Sequence, residues 1–330
     1  MKTIAAIALA SSITFLTAGV CTPPPESEPL RKVAEVALPD SATRFDYQSI
    51  DPSTGRLYLS HMGAGKLVVF DTKTNKVVAN LPGYPTVTGV LAVPEEGKVY
   101  ASTAGSHEVV VTDMTTLKVL ARVPGAQFPD GIAYVPSEHR VFVSDESGGI
   151  DLVIDARTNK TLGTIALGGE AGNTHYDPVG DKVWVAVQTR NQMVAIDPHT
   201  LKITGRYPLA GSDHPHGFTI DTIRHLAYIS CEGNNKLLVA DLRTMKVLQS
   251  FSVTEGPDVL VFDGGLKRLY VACEGGSVDV FQADRMGLKP IGKFVAPNAH
   301  TVSVDQKTHR VFIALKSVAL RPMLWILQPV

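Results

Sequence analysis

Two histidines flank a proline in the segment SDHPHGFTID, residues 212–221, just ahead of an apolar run. Imidazoles, carboxylates and thiolates are the side chains that zinc and copper take as ligands, and carboxylates with neutral oxygens suit calcium. His214 and His216 therefore raise the question of a metal or small-ligand site. The answer depends on the elements that carry them and on the other polar side chains that those elements bring close.

A short strand-like run recurs along nearly the whole chain. It is rich in β-branched and aromatic residues and alternates in polarity, which predicts half-buried β-strands. The runs are GRLYLSH, GKVYAST, HRVFVSD, DKVWVAV, HLAYISC, KRLYVAC and HRVFIAL, and their last residues are 42, 42, 42, 44, 42 and 42 positions apart. Three further strand-like runs accompany each of them. A four-stranded unit of about 42 residues, repeated seven times, predicts an all-β fold, the seven-bladed β-propeller.

The two ends of the chain are predicted to close the ring. The last repeat stops one strand short, and RKVAEVAL, residues 31–38, matches the missing fourth strand. Pairing of the two ends would remove exposed sheet edges. Residues 31–330 are thus predicted to form one propeller, preceded by a signal peptide in residues 1–20 and a proline-rich tether in residues 21–30.

The N-terminal segment predicts export. One lysine followed by an apolar stretch from Ile4 to Leu16 and then by small residues is typical of a secretory signal, and the stretch is too short for a comfortable membrane span. We expect a periplasmic or extracellular monomer without a transmembrane span, with a lipid anchor at Cys21 as an alternative. A net charge of −1 leaves no basic excess for phosphates, which argues against nucleic acid as a partner. A small ligand or an envelope protein is the expected partner.

The repeats resemble the YVTN β-propeller repeat family, in particular its YncE-like branch of exported bacterial proteins. The resemblance lies in second strands such as LYLSH, VYAST and LYVAC and in units such as VFDTKTNKVV, and it spans residues 31–330. The stretch RFDYQSIDPSTGRLYLSH is similar to the opening blade of that branch. The resemblance implies a seven-bladed propeller outside the cytoplasm. It implies little about chemistry, because the fold hosts enzymes, binders and scaffolds alike.

Positions that stay the same in every repeat are expected to belong to the scaffold. An aspartate ends the third strand in five blades, where its carboxylate can accept hydrogen bonds from the following turn. These residues are Asp71, Asp113, Asp155, Asp197 and Asp241. Three histidines, His139, His225 and His309, lie in the turn between first and second strands, and we expect them to be exposed on the face opposite the site.

One position of the repeat varies in polar identity from blade to blade. It begins the first, innermost strand, which lines the central channel of a propeller. The residues that lie the same number of positions before the second strand in each repeat are Asp46, Thr88, Asp130, Gly172, His216, Asp258 and His300. These residues are predicted to form a ring around one channel mouth. Just outside the ring the second strands end at His61, Asp145, Cys231 and Cys273, and Glu146, Glu232 and Glu274 follow three of them.

The ring predicts a ligand or metal site at this mouth. His214 lies in a loop two residues longer than its counterparts entering blades 2, 3, 4 and 6, which would bring a second imidazole to the mouth. The candidate ligand-binding residues are Asp46, Asp130, His214, His216, Asp258 and His300, of which His216, Asp258 and His300 are candidate ligands for a divalent zinc, copper or calcium ion. The alternative is that these side chains only hydrogen-bond waters and neighbouring loops. For Cys231 and Cys273, on adjacent blades, we favour two free buried thiols over a disulfide.

Enzyme activity stays open, and no catalytic residue is identified. The sequence contains no Walker loop, no Gly-x-Ser-x-Gly elbow and no His-Glu-x-x-His. FPDGIAYVPSEHRVFVSDE, residues 128–146, resembles the Pro-Asp-Gly unit of gluconolactonase-like propellers, which implies a metal-dependent, lactonase-like hydrolase with Asp130 as the residue to test. A Pro-Asp pair also occurs in GPDVLVF, so the unit also fits a recurring loop. A protein-interaction platform in the cell envelope is the third alternative.

Overall fold

A computed structural model of the chain describes residues 28–285 and 287–330. Seven four-stranded antiparallel sheets follow one another in a ring, so the predicted all-β seven-bladed propeller is confirmed. The predicted signal peptide, the lipid-anchor candidate Cys21 and most of the predicted tether lie outside the described residues.

Each blade consists of four strands in sequence order from the channel outward, and blade 7 takes its outermost strand from the N-terminal end of the propeller. The strands are β1 (Leu30–Ala37), β2 (Gln48–Asp51), β3 (Arg56–His61), β4 (Lys66–Asp71), β5 (Lys76–Pro82), β6 (Val87–Val93), β7 (Lys98–Thr103), β8 (Glu108–Asp113), β9 (Val119–Pro124), β10 (Pro129–Val135), β11 (Arg140–Asp145), β12 (Ile150–Asp155), β13 (Lys160–Ala166), β14 (Ala171–Asp177), β15 (Lys182–Val187), β16 (Gln192–Asp197), β17 (Lys202–Pro208), β18 (Pro215–Asp221), β19 (Leu226–Cys231), β20 (Lys236–Asp241), β21 (Val247–Ser252), β22 (Pro257–Asp263), β23 (Arg268–Cys273), β24 (Ser277–Asp284), β25 (Gly287–Val295), β26 (Ser303–Val304), β27 (Val311–Val318) and β28 (Arg321–Pro329).

Helical structure in the described part of the chain is confined to short 3₁₀ turns, at Met62–Ala64, Pro94–Glu96, Ala104–Ser106, Gln188–Arg190 and Glu232–Asn234. No helix among these residues has the length and apolar character that a membrane crossing requires.

The N-terminal strand closes the ring as predicted. β1 pairs antiparallel with β28, from Leu30 opposite Pro329 to Ala37 opposite Met323. It begins one residue before the predicted start, and Leu30 is fully buried. The backbone amide of Val330 also donates to the carbonyl of Pro29 at 3.1 Å. Blade 7 therefore contains strands from both ends of the propeller chain, and their pairing closes the ring.

The core consists of layers between blades. In each blade the second strand carries a buried aromatic side chain at the same position. These residues are Tyr58, Tyr100, Phe142, Trp184, Tyr228, Tyr270 and Phe312. Both faces of a blade lie against neighbouring blades, which explains why the middle strands are buried almost throughout. Within the described residues, seven hydrophobic clusters fill the seven interfaces between adjacent blades. Burial of one such aromatic side chain contributes roughly 1.5–3 kcal/mol.

The repeated aspartates at the ends of third strands are confirmed as turn residues. Asp71 Oδ1, for example, accepts hydrogen bonds from the backbone amides of Lys73 at 2.8 Å and Thr74 at 3.1 Å. These backbone hydrogen bonds lower the pKa of the Asp71 carboxyl, since they stabilise its charged form. The other four aspartates make the same pair of bonds.

The turn histidines connect blades, which differs from the expectation that they are simply exposed. Each imidazole reaches a carboxylate on the preceding blade. The pairs are His139–Glu96 at 2.5 Å, His225–Asp177 at 2.6 Å and His309–Asp263 at 2.8 Å. His225 is only 7% exposed, so the prediction of exposure is wrong for this residue. Adjacent turns lie side by side because the blades are arranged radially. The distance between turns of neighbouring blades cannot be predicted from the pattern of a single repeat.

Replacement of His225 by alanine is expected to destabilise the propeller by about 3 kcal/mol, because it leaves the fully buried Asp177 carboxylate without its partner. The matched variant is His199→Ala, which removes an imidazole that is 45% exposed from its contact with Asp181, whose carboxylate is 49% exposed. Its cost should be much smaller, because solvent replaces the lost partner. Urea denaturation of both variants measures the difference, and equal losses would contradict the role given to burial.

Candidate functional site

β-Bulges position the ring residues of blades 2 to 6. In blade 5, Phe218 pairs with Ile229 and Pro215 with Cys231, so His216 and Gly217 together face the single residue Ser230. The same interruption encloses Thr88, Asp130, Gly172 and Asp258 in the other four blades. A bulge bends its strand and redirects the side chains. The polar side chains at these positions consequently point away from their blades and lie close together at the channel mouth.

Glycine after the ring position allows neighbouring first strands to come very close. A Cβ atom on Gly217 would lie less than 3.0 Å from the backbone oxygen of Asp258 on the next blade. A Cβ atom on Gly89 would meet the backbone oxygen of Asp130 in the same way. Any larger residue would push the first strands apart. The close approach therefore sets how tightly the ring residues converge.

His300 lies at the centre of one half of the mouth. Its Nε2 is 3.0 Å from Asp46 Oδ1, and its Nδ1 is 3.0 Å from Asp258 Oδ2. Glu274 Oε1 also lies 2.9 Å from His300 Nδ1. Burial by itself would lower the pKa of His300, but the charges of Asp258 and Asp46 outweigh it and raise that pKa well above its ordinary value. The close contact with the His300 imidazole lowers the pKa of the Glu274 carboxyl to about 2.

His216 occupies the other half of the mouth. Its Nε2 lies 3.6 Å from Asp258 Oδ1 and 3.7 Å from Asp130 Oδ2. Its Nδ1 is buried without a hydrogen-bond partner among the described residues. Burial opposes protonation, but the charges of Asp258, Glu232 and Asp130 raise the pKa of His216 to about 9. Burial, with the charge of Asp46, raises the pKa of Asp130 well above its ordinary value.

Two residues of the mouth were not predicted from the sequence. Arg44 Nη1 lies 3.1 Å from Glu274 Oε1, and Arg44 Nη2 lies 3.0 Å from His300 Nε2. Tyr47 is buried, and its hydroxyl donates to Asp130 Oδ2 at 3.3 Å and lies 3.3 Å from His216 Nε2. Both residues flank Asp46 in the segment RFDY, so their closeness to a ring position was the available signal.

A second ring surrounds the first. It consists of the residues that directly follow the second strands of blades 1 to 6 and of the equivalent residue within β27, namely Met62, Ala104, Glu146, Gln188, Glu232, Glu274 and Lys316. The backbone amide of Glu232 donates to the carbonyl of His214 at 3.0 Å, and that of Glu146 donates to the carbonyl of Phe128 at 2.9 Å. These bonds hold the second ring beside the first. Glu146 and Glu232 thereby line, together with His216, a cavity of about 140 Å³.

Three side chains of the mouth are placed to hold a metal ion. One ligand atom from each of His216, Glu232 and Asp258 lies within 4.8 Å of the other two. Two of them belong to the predicted set of His216, Asp258 and His300. His300 is instead surrounded by Asp46, Glu274 and Arg44 as well as Asp258. Glu232 is the candidate ligand that the sequence interpretation left out, although it occupies the same position of the repeat as Glu146 and Glu274.

His214 lies apart from the central group. Its side chain is 52% exposed and its Nδ1 lies 2.9 Å from Asp213 Oδ1. In the described part of the chain no contact joins this imidazole to the other five candidate residues, which the structure does bring together. The longer loop instead contributes the His214 carbonyl that holds Glu232. Whether any of the six binds a ligand stays a prediction.

The residues at the ends of second strands serve the scaffold. Cys231 and Cys273 are free and buried in the cores between blades, so the favoured interpretation of two free thiols is confirmed. Burial raises the pKa of the Cys231 thiol to about 12, which makes it a poor nucleophile. His61 stacks on Phe45 with ring centroids 4.0 Å apart. Asp145 accepts hydrogen bonds from the backbone amides of Gln127 and Phe128, both at 2.7 Å.

The fold and the mouth define a class of protein: a seven-bladed β-propeller with an acidic, histidine-bearing opening at one end of its channel. Among solved structures, a chain titled Kuenenia stuttgartiensis Hydrazine Synthase is similar to it, with a TM-score of 0.74 and 14% sequence identity over 83% of this chain and 95% of that chain. At this identity the similarity shows the fold alone. No family model and no curated protein matches the sequence, so the resemblance to the YVTN family and its YncE-like branch stays a prediction.

Proposed function

We propose that this propeller binds a divalent transition-metal ion, zinc in the first instance, through His216, Glu232 and Asp258. The observation that carries the proposal is the convergence of these ligand atoms within 4.8 Å. His216 Nδ1 and Asp258 Oδ1 are buried, and in the part of the chain that the structure describes neither has a hydrogen-bond partner. Buried polar atoms are ordinarily paired. Two unpaired atoms in one cluster therefore support a ligand at this point.

The charge of the mouth favours a cation. Six carboxylates surround the proposed site, from Asp46, Asp130, Asp258, Glu146, Glu232 and Glu274. The cationic side chains near them are Arg44 and the imidazole of His300, and a bound ion would displace the proton of His216, because a ligand imidazole is neutral. This excess of carboxylates stabilises a bound cation, and the partly enclosed position reduces screening by water.

The donor set favours zinc over the other candidate metals. Imidazole and carboxylate are both ligand types that zinc accepts, and a site with three protein ligands keeps a fourth position open. Calcium takes six to eight oxygen ligands, and copper centres use more imidazoles than this mouth offers. The open position would face the cavity of about 140 Å³, where Met62 and Phe128 form apolar walls.

The proposed function is therefore metal-dependent binding of a small ligand at the channel mouth. Export to the periplasm or the cell exterior is part of the proposal and rests on the pattern of residues 1–20. The lactonase-like alternative would use the same ion with Asp130 beside it. Asp130 is 3% exposed and bonded to Tyr47, which supports a role in shaping the mouth more than contact with a substrate.

Tag-free protein titrated with zinc should bind one ion per chain, measured by calorimetry and by elemental analysis after desalting. Glu232→Gln removes one ligand charge and keeps the side chain's size, so the dissociation constant should rise by at least about tenfold. The matched variant is Glu274→Gln, which changes the same position of the next blade outside the three ligands. We expect its effect to stay below about threefold.

Two outcomes would overturn the metal proposal. One is wild-type protein that binds no stoichiometric zinc although its circular dichroism spectrum shows a folded all-β chain. The other is an equal loss of affinity in Glu232→Gln and Glu274→Gln, since that pattern indicates general attraction by an acidic surface. Stoichiometric calcium in place of zinc would keep the site and reject the metal.

A further inference from the structure

The opposite end of the channel opens into a cavity with different chemistry. The cavity measures about 500 Å³ and is bounded by the ends of the first strands in blades 2 to 4 and by the turns that follow the first strands in blades 2 to 5. Most of its lining is aliphatic or aromatic, including Leu91, Ile132, Tyr134 and Tyr176. Glu95 is the acidic residue of the lining. This volume and lining are typical of sites for small organic molecules.

The cavity continues inward along the channel. A second space of about 280 Å³ shares Leu91, Ile132 and His175 with the first, so the two are contiguous. Uncharged polar side chains occur among its aliphatic walls, including those of Asn173 and Thr219. No Asp, Glu, Lys or Arg of the described chain lines this inner space. A molecule that enters would meet apolar walls first and hydrogen-bonding groups farther in.

The aromatic rings of the outer cavity are held in place. The Tyr134 hydroxyl donates to Glu96 Oε1 at 2.7 Å, and the Tyr176 hydroxyl donates to Asp181 Oδ1 at 2.9 Å. His175 Nε2 lies 3.2 Å from Asn173 Nδ2, and the imidazole meets the ring of Phe218 edge-on at 4.8 Å. Part of the His175 ring faces the channel although it lies deep, and burial lowers the pKa of this imidazole to about 4. His175 is thus uncharged at neutral pH.

We propose that this end of the channel binds a small, uncharged aromatic molecule, with its ring among Tyr134, Tyr176 and His175 and its polar end toward Asn173 and Thr219. An aromatic ligand gains offset or edge-on contacts with fixed rings in addition to the burial of its surface. A charged ligand would lose its hydration without a compensating partner in the inner space. The site is separate from the acidic mouth, which selects the opposite kind of ligand.

A matched pair of probes tests the charge selectivity. N-phenyl-1-naphthylamine is an uncharged fluorophore, and 1-anilinonaphthalene-8-sulfonate has the same ring framework with one added negative charge. The uncharged probe should show saturable fluorescence enhancement with a stoichiometry of one per chain. The sulfonate should bind at least about tenfold more weakly. Equal affinity for both probes, or enhancement that does not saturate, would overturn the proposal.

A matched pair of variants tests the location. Ala92 lines the outer cavity, and Phe262 occupies the equivalent position of blade 6, so the scaffold accommodates phenylalanine there. Ala92→Phe should weaken binding of the uncharged probe by at least about tenfold, because it fills the cavity. Ile220→Phe places the same side chain at the equivalent position of blade 5, outside the cavity lining, and should change binding by less than about twofold. Equal effects would overturn the assignment to this cavity, and Glu232→Gln should bind the probe like wild type.

Discussion

Gly217→Ala is expected to disrupt the channel mouth, whereas Gly163→Ala should leave the protein unchanged. The added Cβ at residue 217 would lie less than 3.0 Å from the backbone oxygen of Asp258. Backbone cannot rotate away as a side chain can, so the first strands of blades 5 and 6 must separate. Forced over-packing of this kind costs about 1–3 kcal/mol or more. Because His216 and Asp258 lie on these two strands, zinc affinity should also fall by at least about tenfold.

Gly163 is the matched control because, apart from its two chain neighbours, no heavy atom of the described residues lies within 4 Å of the position of its Cβ. Gly163→Ala should be neutral or should stabilise the protein by about 0.5 kcal/mol, through lower entropy of the unfolded chain. Urea denaturation gives the stability of both variants, and calorimetry gives their zinc affinity. If Gly217→Ala were as stable as Gly163→Ala and bound zinc like wild type, the close approach of the first strands would not be what holds the ligands together.

Asp151→Asn is expected to remove a large dependence of stability on pH. Asp151 is fully buried, and it occupies a position that is apolar in other blades, as in Leu67 and Leu237. It shares a strand face with Val153, which packs between blades 3 and 4. Burial raises the pKa of the Asp151 carboxyl to about 8, against a smaller opposite effect of the Thr174 hydroxyl.

The direction of the effect follows from proton binding. Between the ordinary pKa of 3.8 in the unfolded chain and about 8 in the folded protein, only the folded protein keeps the Asp151 proton. The free energy of unfolding therefore falls as pH rises through this window, by up to about 1.4 kcal/mol per pH unit. From pH 5 to pH 8 the loss from this one group is on the order of 3 kcal/mol. Asp151→Asn has no proton to lose, so its stability should change less over the same range.

The difference between wild type and variant isolates Asp151, because the other titrating groups are common to both. Urea denaturation at pH 5, 6.5 and 8 provides the measurement. Asp151→Leu, which introduces the residue found in blades 1 and 5, should be more stable than wild type at pH 8 and should also lack the pH dependence. Parallel pH profiles of wild type and Asp151→Asn would show that the buried carboxyl does not carry a raised pKa.

Most of the architecture was predictable because a propeller is a periodic structure. The spacing of the second strands identifies the number of blades, and the unpaired run RKVAEVAL identifies the strand that closes the ring. Equal spacing also identifies the ring position, since blades related by rotation place equivalent residues at the same height in the channel. Asp46, Asp130, His216, Asp258 and His300 therefore converge as predicted.

Contacts between blades could not be predicted from the repeat pattern. The bulge at His216 and Gly217, the pairing of His225 with Asp177 and the position of Tyr47 below the ring all depend on distances across blade interfaces. Glu232 belongs to the three proposed metal ligands because its backbone amide is held by the His214 carbonyl. His214 does not, because its imidazole lies at the solvent-exposed end of the longer loop.

The order of residues along the chain specifies the repeat, its number and the height of each side chain in the channel, because strand alternation and turn chemistry are local. Folding then sets how closely the blades approach and which way each side chain faces. Those quantities depend on packing between strands about 42 residues apart. The ring of polar residues can thus be predicted from the sequence, whereas the convergence of His216, Glu232 and Asp258 at one end of the channel and the largely apolar cavity at the other depend on the tertiary structure.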